Sequence, residues 1–280
     1  MLYNDAKKNA LAIHKRAVDK YNGIVVDVQR NGENLYNLRE KSIINIDICE
    51  NLINSIANTP KEFNAKLVKI EADKIEFRNT VSYAKEAHQK ALESGVGVVV
   101  GVGTGATIAA MAPTAAMWIA TTFGTASTGT AISTLSGAVA TKAALAWLGG
   151  GALATGGAGI AGGQALLALA GPLGWGLAAA TAGGNALILG SKNKKIANQA
   201  IDEAKTITFT GAQLKETGAS IEQLFQKTQS LLSLLENQLI ELISKKDHDY
   251  NDLTLDEQLL LGALVNNSLS LSEMLNKTIN

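Results

Sequence analysis

The chain has a single cysteine, Cys49, three prolines and no net charge. One cysteine excludes an internal disulfide and any zinc site built from several thiolates. With 25 Lys+Arg against 25 Asp+Glu there is no basic excess to neutralise a phosphate backbone, so nucleic acid is not an expected partner. Aromatic residues make up 5% of the 280, little for a conventional globular core. The sequence has no Gly-Lys-Ser/Thr phosphate loop and no G-x-S-x-G elbow. His14, His88 and His248 are scattered, far from any partner at metal-ligand spacing. No catalytic residue, cofactor or metal is expected, and the chain does not read as an enzyme. The amino end, Met1 to Lys8, lacks the apolar run and small-residue cleavage site of a secretory signal. Expected instead is a protein made in the cytoplasm, either soluble and converting to a membrane-bound form or already membrane-associated. Any export would take a non-classical route.

What the chain does have is a sharp partition. Residues 1–93 carry 15 Lys+Arg and 13 Asp+Glu, and residues 192–280 carry 9 and 12. Between them, the 98 residues from Ser94 to Ser191 hold one charged side chain, Lys142. The same stretch holds 22 of the 27 glycines and all three tryptophans, Trp118, Trp147 and Trp175. The composition divides the chain into a helical arm (1–93), an apolar head (94–191) and a second arm with a terminal helix (192–280).

The arms have helical periodicity. In the first, Leu11, Val18, Tyr21, Val25, Val28, Leu35, Leu38, Ile46, Cys49, Ile53 and Ile56 recur at steps that keep one helix face apolar. Thr59-Pro60 should end this helix, because the residue before proline is pushed out of the α region. A second helix then carries Phe63, Leu67, Ile70, Phe77, Val81, Ala84 and Ala91, with Lys74 as the one discordant slot. Two helices joined by so short a turn form an antiparallel hairpin. In the second arm Ala200, Ala204, Ile207, Gly211, Leu214, Gly218, Ile221, Phe225, Thr228, Leu232, Leu235, Leu239 and Leu242 keep a 4-3 repeat of coiled-coil type. From Ile196 to Lys246 such a helix would run about 75 Å and cannot bury its stripe alone, so it should lie along the first arm. A last helix should start at a Thr254–Glu257 capping box and run through Leu259, Leu264, Leu271 and Leu275. The stripes fit the core of any all-α domain, and no chemical role is assigned to them.

The middle is a membrane candidate. Ser94 to Thr141 is 48 residues without an ionisable side chain, and Ala143 to Ser191 is 49 more. A spanning helix needs about 20 apolar residues, so each half has room for two, with turns near Gly124–Gly129, Gly149–Gly151 and Gly171-Pro172. In a water-exposed helix each glycine costs about 1 kcal/mol against alanine, whereas between membrane helices small residues permit close approach. Gly97, Gly101 and Gly105 form a GxxxGxxxG row, and Gly159 to Gly163 offers a second such face. The tryptophans, spaced by about 28 residues, suit interfacial anchors. The composition is only weakly hydrophobic, being rich in Ala, Gly and Thr. On a helix Thr130, Thr134, Gly137 and Thr141 would share one polar face, suited to lining a water-filled pore or to a folded-away soluble state, while a Ser/Thr-rich turn region fits the same residues.

Three patterns imitate chemistry. Val98 to Ala106 looks like a strand feeding GxGxxA, but no acid follows before Asp202 to hold a ribose hydroxyl. Asp247, Asp249 and Asn251 have calcium-loop spacing, yet Asp252 and Gln258 stand where glycine and glutamate are needed. An acidic interhelical turn is the better reading. Lys192-Asn193-Lys194-Lys195 suits anionic headgroups and equally an ordinary helix start.

In layout, with charged helical arms around one apolar helical element, the chain resembles the α-helical pore-forming toxins of the cytolysin A and haemolysin BL/Nhe type. The resemblance covers the whole chain as architecture and matches no diagnostic motif. It implies an all-α protein, an elongated antiparallel helical bundle or coiled-coil stalk with an apolar Gly/Ala-rich helical-hairpin head. The head would leave the bundle, enter a lipid bilayer and self-associate as a homo-oligomer, with a second toxin component as a further partner of that family's kind. The positions implied are the Gly97–Gly105 row, Thr130–Thr141 and the Gly149–Gly163 stretch. This chain departs from the family in an apolar block about twice the size of a two-helix hairpin and in lacking the signal that many relatives carry. Two other functions fit the same sequence: a constitutive membrane-anchored coiled-coil scaffold, and a soluble helical interaction protein.

Overall fold

The computed structural model describes residues 4–93, 120–124, 126, 130, 132–135, 137–148 and 189–278. The described residues are helical and connecting, with no strand beyond one isolated bridge between Ala57 and Asp249. The helices are α1 (Asn4–Ser55), α2 (Lys61–Glu93), α3 (Gly137–Leu148), α4 (Leu189–Leu242) and α5 (Leu255–Leu275). Short 3-10 turns lie at Ile132–Thr134, Ile243–Lys245 and Tyr250–Asp252. The chain divides into two compact units, one of Met1–Arg30, Tyr83–Gly218 and Ile279–Asn280, the other of Asn31–Ser82 and Ala219–Thr278.

In the second unit four helical segments share one apolar core. Ile46, Cys49, Leu52, Ile53 and Ile56 of α1 meet Phe63, Ile70 and Phe77 of α2, Leu232, Leu235 and Leu242 of α4, and Leu261, Leu264, Leu271 and Leu275 of α5. α1 ends where the spacing expects. Asn58 takes a left-handed φ of 57°, Pro60 follows, and α2 starts at Lys61 antiparallel to α1. The antiparallel register is read from Lys74 meeting Asp47 and from Tyr36 stacking on Phe77, with centroids 6.3 Å apart. α4 runs parallel to α1: Lys41 pairs with Glu236 at 2.8 Å, and further along Ala57 lies beside Asp249. α5 folds back along α4, with Asn267 donating to Gln238 at 2.9 Å and Lys245 pairing with Glu257 at 2.7 Å. It also lies against α2, where Lys66 reaches Asn266 and the Ser272 hydroxyl donates to Asp73.

The two interhelical turns at this end are tied together. Ala57 N–H donates to the His248 carbonyl and Tyr250 N–H to the Ala57 carbonyl, both at 2.9 Å. Asn58 donates to Asp249 at 2.6 Å, and Asp247 N–H to the Ser55 hydroxyl at 3.1 Å. Thr254 and Glu257 make both halves of the expected capping box.

In the first unit α1 and α4 are again parallel, and here the seam is made of small residues. Ala10 packs with Ala197 and Ala200. Gly211 faces Tyr21 and Ile24, and a Cβ at Gly218 would stand 2.8 Å from Val28 Cγ2, so the helices touch there. A separate small cluster joins Ala120, Ile132, Ala140 and Ala144.

Three expectations need correction. Leu259, placed on the α5 stripe, is 64% exposed, and Leu261 occupies the buried slot instead. α4 starts at Leu189, inside the compositional head, and gives way at Leu242 to a 3-10 turn that ends at Lys245 rather than running on as α-helix to Lys246. Residues 130–141 are not one helix, as described next.

Candidate functional site

Of the residues singled out for membrane insertion, Gly97, Gly101, Gly105, Trp118, Gly159, Gly163 and Trp175 lie outside the described residues, as do the glycines of the turns expected at Gly149–Gly151 and Gly171-Pro172. Thr130, Thr134, Gly137, Thr141 and the backbone of Trp147 are described. They sit in a compact stretch built on two special glycines. Gly124 N–H donates to the Ala120 carbonyl at 2.9 Å, and its own carbonyl accepts from Ile132 N–H at 2.9 Å. A Cβ there would fall 2.3 Å from the Ala120 oxygen, so only glycine fits this turn. Ala126 N–H donates to the Thr130 carbonyl at 2.8 Å. The chain then makes the 3-10 turn and restarts as α3 at Gly137, whose φ of +59° favours glycine.

This geometry separates the expected polar face. Thr130 is non-helical and exposed, Thr134 closes the 3-10 turn, and only Gly137, Thr141 and Trp147 belong to α3. Gly137 breaks the helix that would have aligned them. Thr141 reaches back to the Gly137 carbonyl at 3.5 Å, and Lys142 is exposed. Of the turn expected near Gly124–Gly129, only Gly124 and Ala126 are described, with Gly124 bonded to Ala120 and Ile132 and Ala126 to Thr130. Among the described residues no helix is long and apolar enough to cross a membrane.

Elsewhere the noteworthy side chains are charged groups buried in the seams. Lys74, 3% exposed, pairs with Asp47 at 2.7 Å, Glu71 at 2.6 Å and also Glu50. Burial opposes its charge, but the three carboxylates outweigh that and hold its pKa above the usual lysine value. Burial raises the Glu50 carboxyl, with Lys74 pulling the other way. Arg39, 2% exposed, donates to the Lys277 carbonyl just past α5 at 2.7 Å. Its guanidinium is pushed down to about 9 by burial, and it secures the end of α5. His14 is fully buried beside Glu203 of α4, 3.2 Å away.

The Cys49 thiol, buried in the core, is pushed up to about 12 chiefly by burial, so it stays protonated and inert. Tyr21 is likewise raised to about 12 by burial. Asp249, the middle acid of the calcium-like spacing, accepts from Asn251 N–H at 2.9 Å and caps the 3-10 turn. The Asn251 amide donates to the Asp249 carboxylate and lowers its pKa, together with the Asn58 side chain. The spacing thus encodes a turn cap. Among the described residues no group of three His, Cys, Asp or Glu is placed to hold a metal ion.

His14 and Arg39 were not singled out from the sequence, although a signal existed. His14 lies three residues after Leu11 and four before Val18, and Arg39 four after Leu35, both in phase with the stripe. No protein-family model, no curated protein and no solved structure matches this chain.

Proposed function

We propose that the chain is a membrane-inserting, self-associating helical protein, a pore-forming or membrane-disrupting toxin or effector. The finer architecture belongs to the same proposal: a coiled-coil stalk made by the arms and a Gly/Ala-rich head between Ser94 and Ser191. One observation carries it. Ninety-eight residues with a single charge, Lys142, are held between arms that carry 24 of the 25 basic residues and all 25 acidic ones. A soluble fold that uses both arms for its core gains nothing from so long an uncharged insertion. A bilayer does reward it, because backbone groups there must bond internally and small side chains permit tight helix pairing. Among the described residues, the buried core of the second unit is made by residues 43–81 and 232–275, with Tyr36, Leu38 and Leu231 packed against it, which fits arms that stay folded while the head moves. The partners on this reading are a lipid bilayer and further copies of the chain.

A second reading, a soluble helical interaction protein, draws on the stretch around Gly124. There part of the apolar segment packs on itself around Ala120, Ile132, Ala140 and Ala144 and leaves Lys142 in solvent.

Dye release from liposomes by the purified protein separates the two, with Gly101→Leu and Thr134→Lys alongside. Leakage that Gly101→Leu abolishes supports insertion through the glycine row. Leakage unchanged by either variant keeps membrane disruption and removes the assigned positions. A protein that binds no lipid and releases nothing across the pH values and lipid mixtures tried gives the place to the soluble reading.

A further inference from the structure

In the second unit α1 and α4 run parallel and level with each other, with Lys41 paired to Glu236 at 2.8 Å and the Ser55 hydroxyl accepting from Asp247 N–H at 3.1 Å. Between those two contacts each helix presents isoleucine at the surface. Ile44 and Ile48 follow Lys41 by three and seven residues, and Ile240 and Ile243 follow Glu236 by four and seven. These steps keep each pair on the helix edge that begins at the ion pair. Ile48 is 40% exposed, Ile243 49%, Ile44 60% and Ile240 71%. The acids of α1 in the same stretch, Asp47 and Glu50, are drawn away to Lys74 of α2. A lone exposed isoleucine is ordinary, but four at one level of two adjacent helices make an apolar patch.

We propose that this face of α1 and α4 is a contact between two copies of the chain, related by a two-fold axis along the helices. The order of residues selects the occupant. α1 presents Lys41, Ile44 and Ile48, and α4 presents Glu236, Ile240 and Ile243, in the same direction along parallel helices. Turning a second copy by 180° about the helix direction sets α1 of each copy opposite α4 of the other. Lys41 then meets the partner's Glu236 in both directions, and each isoleucine pair covers the other. An axis across the helices would set α1 on α1 and α4 on α4, and would lose the match of lysine to glutamate. The patch is short, about 10 Å from position 41 to 48, so the pairing is weak and reversible rather than that of a permanent dimer. It takes from the proposed function only its self-association, and it forms between folded second units without a membrane.

Sedimentation of the full chain in lipid-free buffer, from about 1 μM to about 1 mM, tests it. The native chain should pass from monomer to dimer as concentration rises. Ile240→Asp should raise the dissociation constant at least about tenfold and leave the helix content unchanged. Lys41→Glu and Glu236→Lys should each stay monomeric alone, yet associate when mixed, because only unlike chains then bring lysine to glutamate. A native chain that is monomeric throughout overturns the proposal, as does association that persists in Ile240→Asp or a mixture no stronger than its components. Should a charge variant fail to fold, Ile44→Cys and Ile240→Cys take its place. Mild oxidation should join the two in a mixture and neither with itself, whereas equal cross-linking of each alone overturns the axis. Dye release from liposomes by the same proteins keeps the two readings apart. Leakage from a chain that is monomeric in buffer removes this face and leaves the pore, and a dimer without leakage does the reverse.

Discussion

Gly211 and Gly218 occupy equivalent slots of one seven-residue repeat, yet the partner helix treats them differently. A Cβ on Gly211 would meet Tyr21 and Ile24 at 3.5 Å, an ordinary contact. Gly211→Ala should therefore stabilise by up to about 1 kcal/mol through helix propensity. A Cβ on Gly218 would press to 2.8 Å against a branched valine that has little rotamer freedom. Gly218→Ala should cost about 1–2 kcal/mol despite the same propensity gain, and Val28→Ala in the same chain should remove the penalty. Urea melts of the four proteins decide this, and equal effects at the two glycines would contradict the close approach. At this scale the sequence was informative about position and silent about chemistry. Lys74 stood out as a charged residue in an apolar slot, but only the fold brings Asp47, Glu50 and Glu71 around it. His14 and Arg39 keep the same phase as their apolar neighbours, so spacing marked their burial while residue type argued against it.

The long helices were legible because each stripe persists over many turns and each end has punctuation. Pro60 and the Thr254–Glu257 box are local signals that need no tertiary partner. Errors came where composition was degenerate. In Leu259-Leu260-Leu261 any of three leucines could carry the stripe, and the register that buries Leu261 is set by packing on the other helices of the second unit. For Thr130 to Thr141 the one-helix reading gives way to the alternative turn reading for a backbone reason, since a periodic polar face presumes a continuous helix and Gly137 interrupts it with positive φ. The α5 cap gives the prediction proper to this scale. Thr254→Ala should cost about 1 kcal/mol and fray the first turn of α5, seen as faster amide exchange at residues 255–258. Glu257 is held down to about 2, first by Lys245 and then by Thr254 N–H. Its contribution is present above the ordinary glutamate value of 4.5 and is lost as pH falls from there toward 2. Titration of the native chain should show the α5 end loosening in that window, and Glu257→Gln should lack the transition.

For the whole molecule the legible feature is the partition of charge, and the illegible one is what the uncharged part does. The second unit closes its core with residues from both arms, and it consists of the two stretches 31–82 and 219–278. A chain of residues 31–82 and 219–278 joined by a flexible Gly/Ser linker should therefore fold alone, with one cooperative thermal transition and native-like helix content. Broad, non-cooperative melting would show that the first unit is needed to hold this core together. The parallel orientation of α1 and α4 could not be read from periodicity, which reports a buried face and not its direction.

That orientation has a consequence for biosynthesis. The seam partners His14 and Glu203 are separated by 189 positions, and Lys41 and Glu236 by 195. At about 5–20 residues per second the ribosome needs on the order of 10–40 s to deliver the second member of each pair after the first. The α1/α2 hairpin can form early, but α4 is translated only after the whole uncharged stretch has emerged. A nascent chain thus presents that stretch, still without its second arm, to whatever chaperone or bilayer is near, and completion of α4 closes the window.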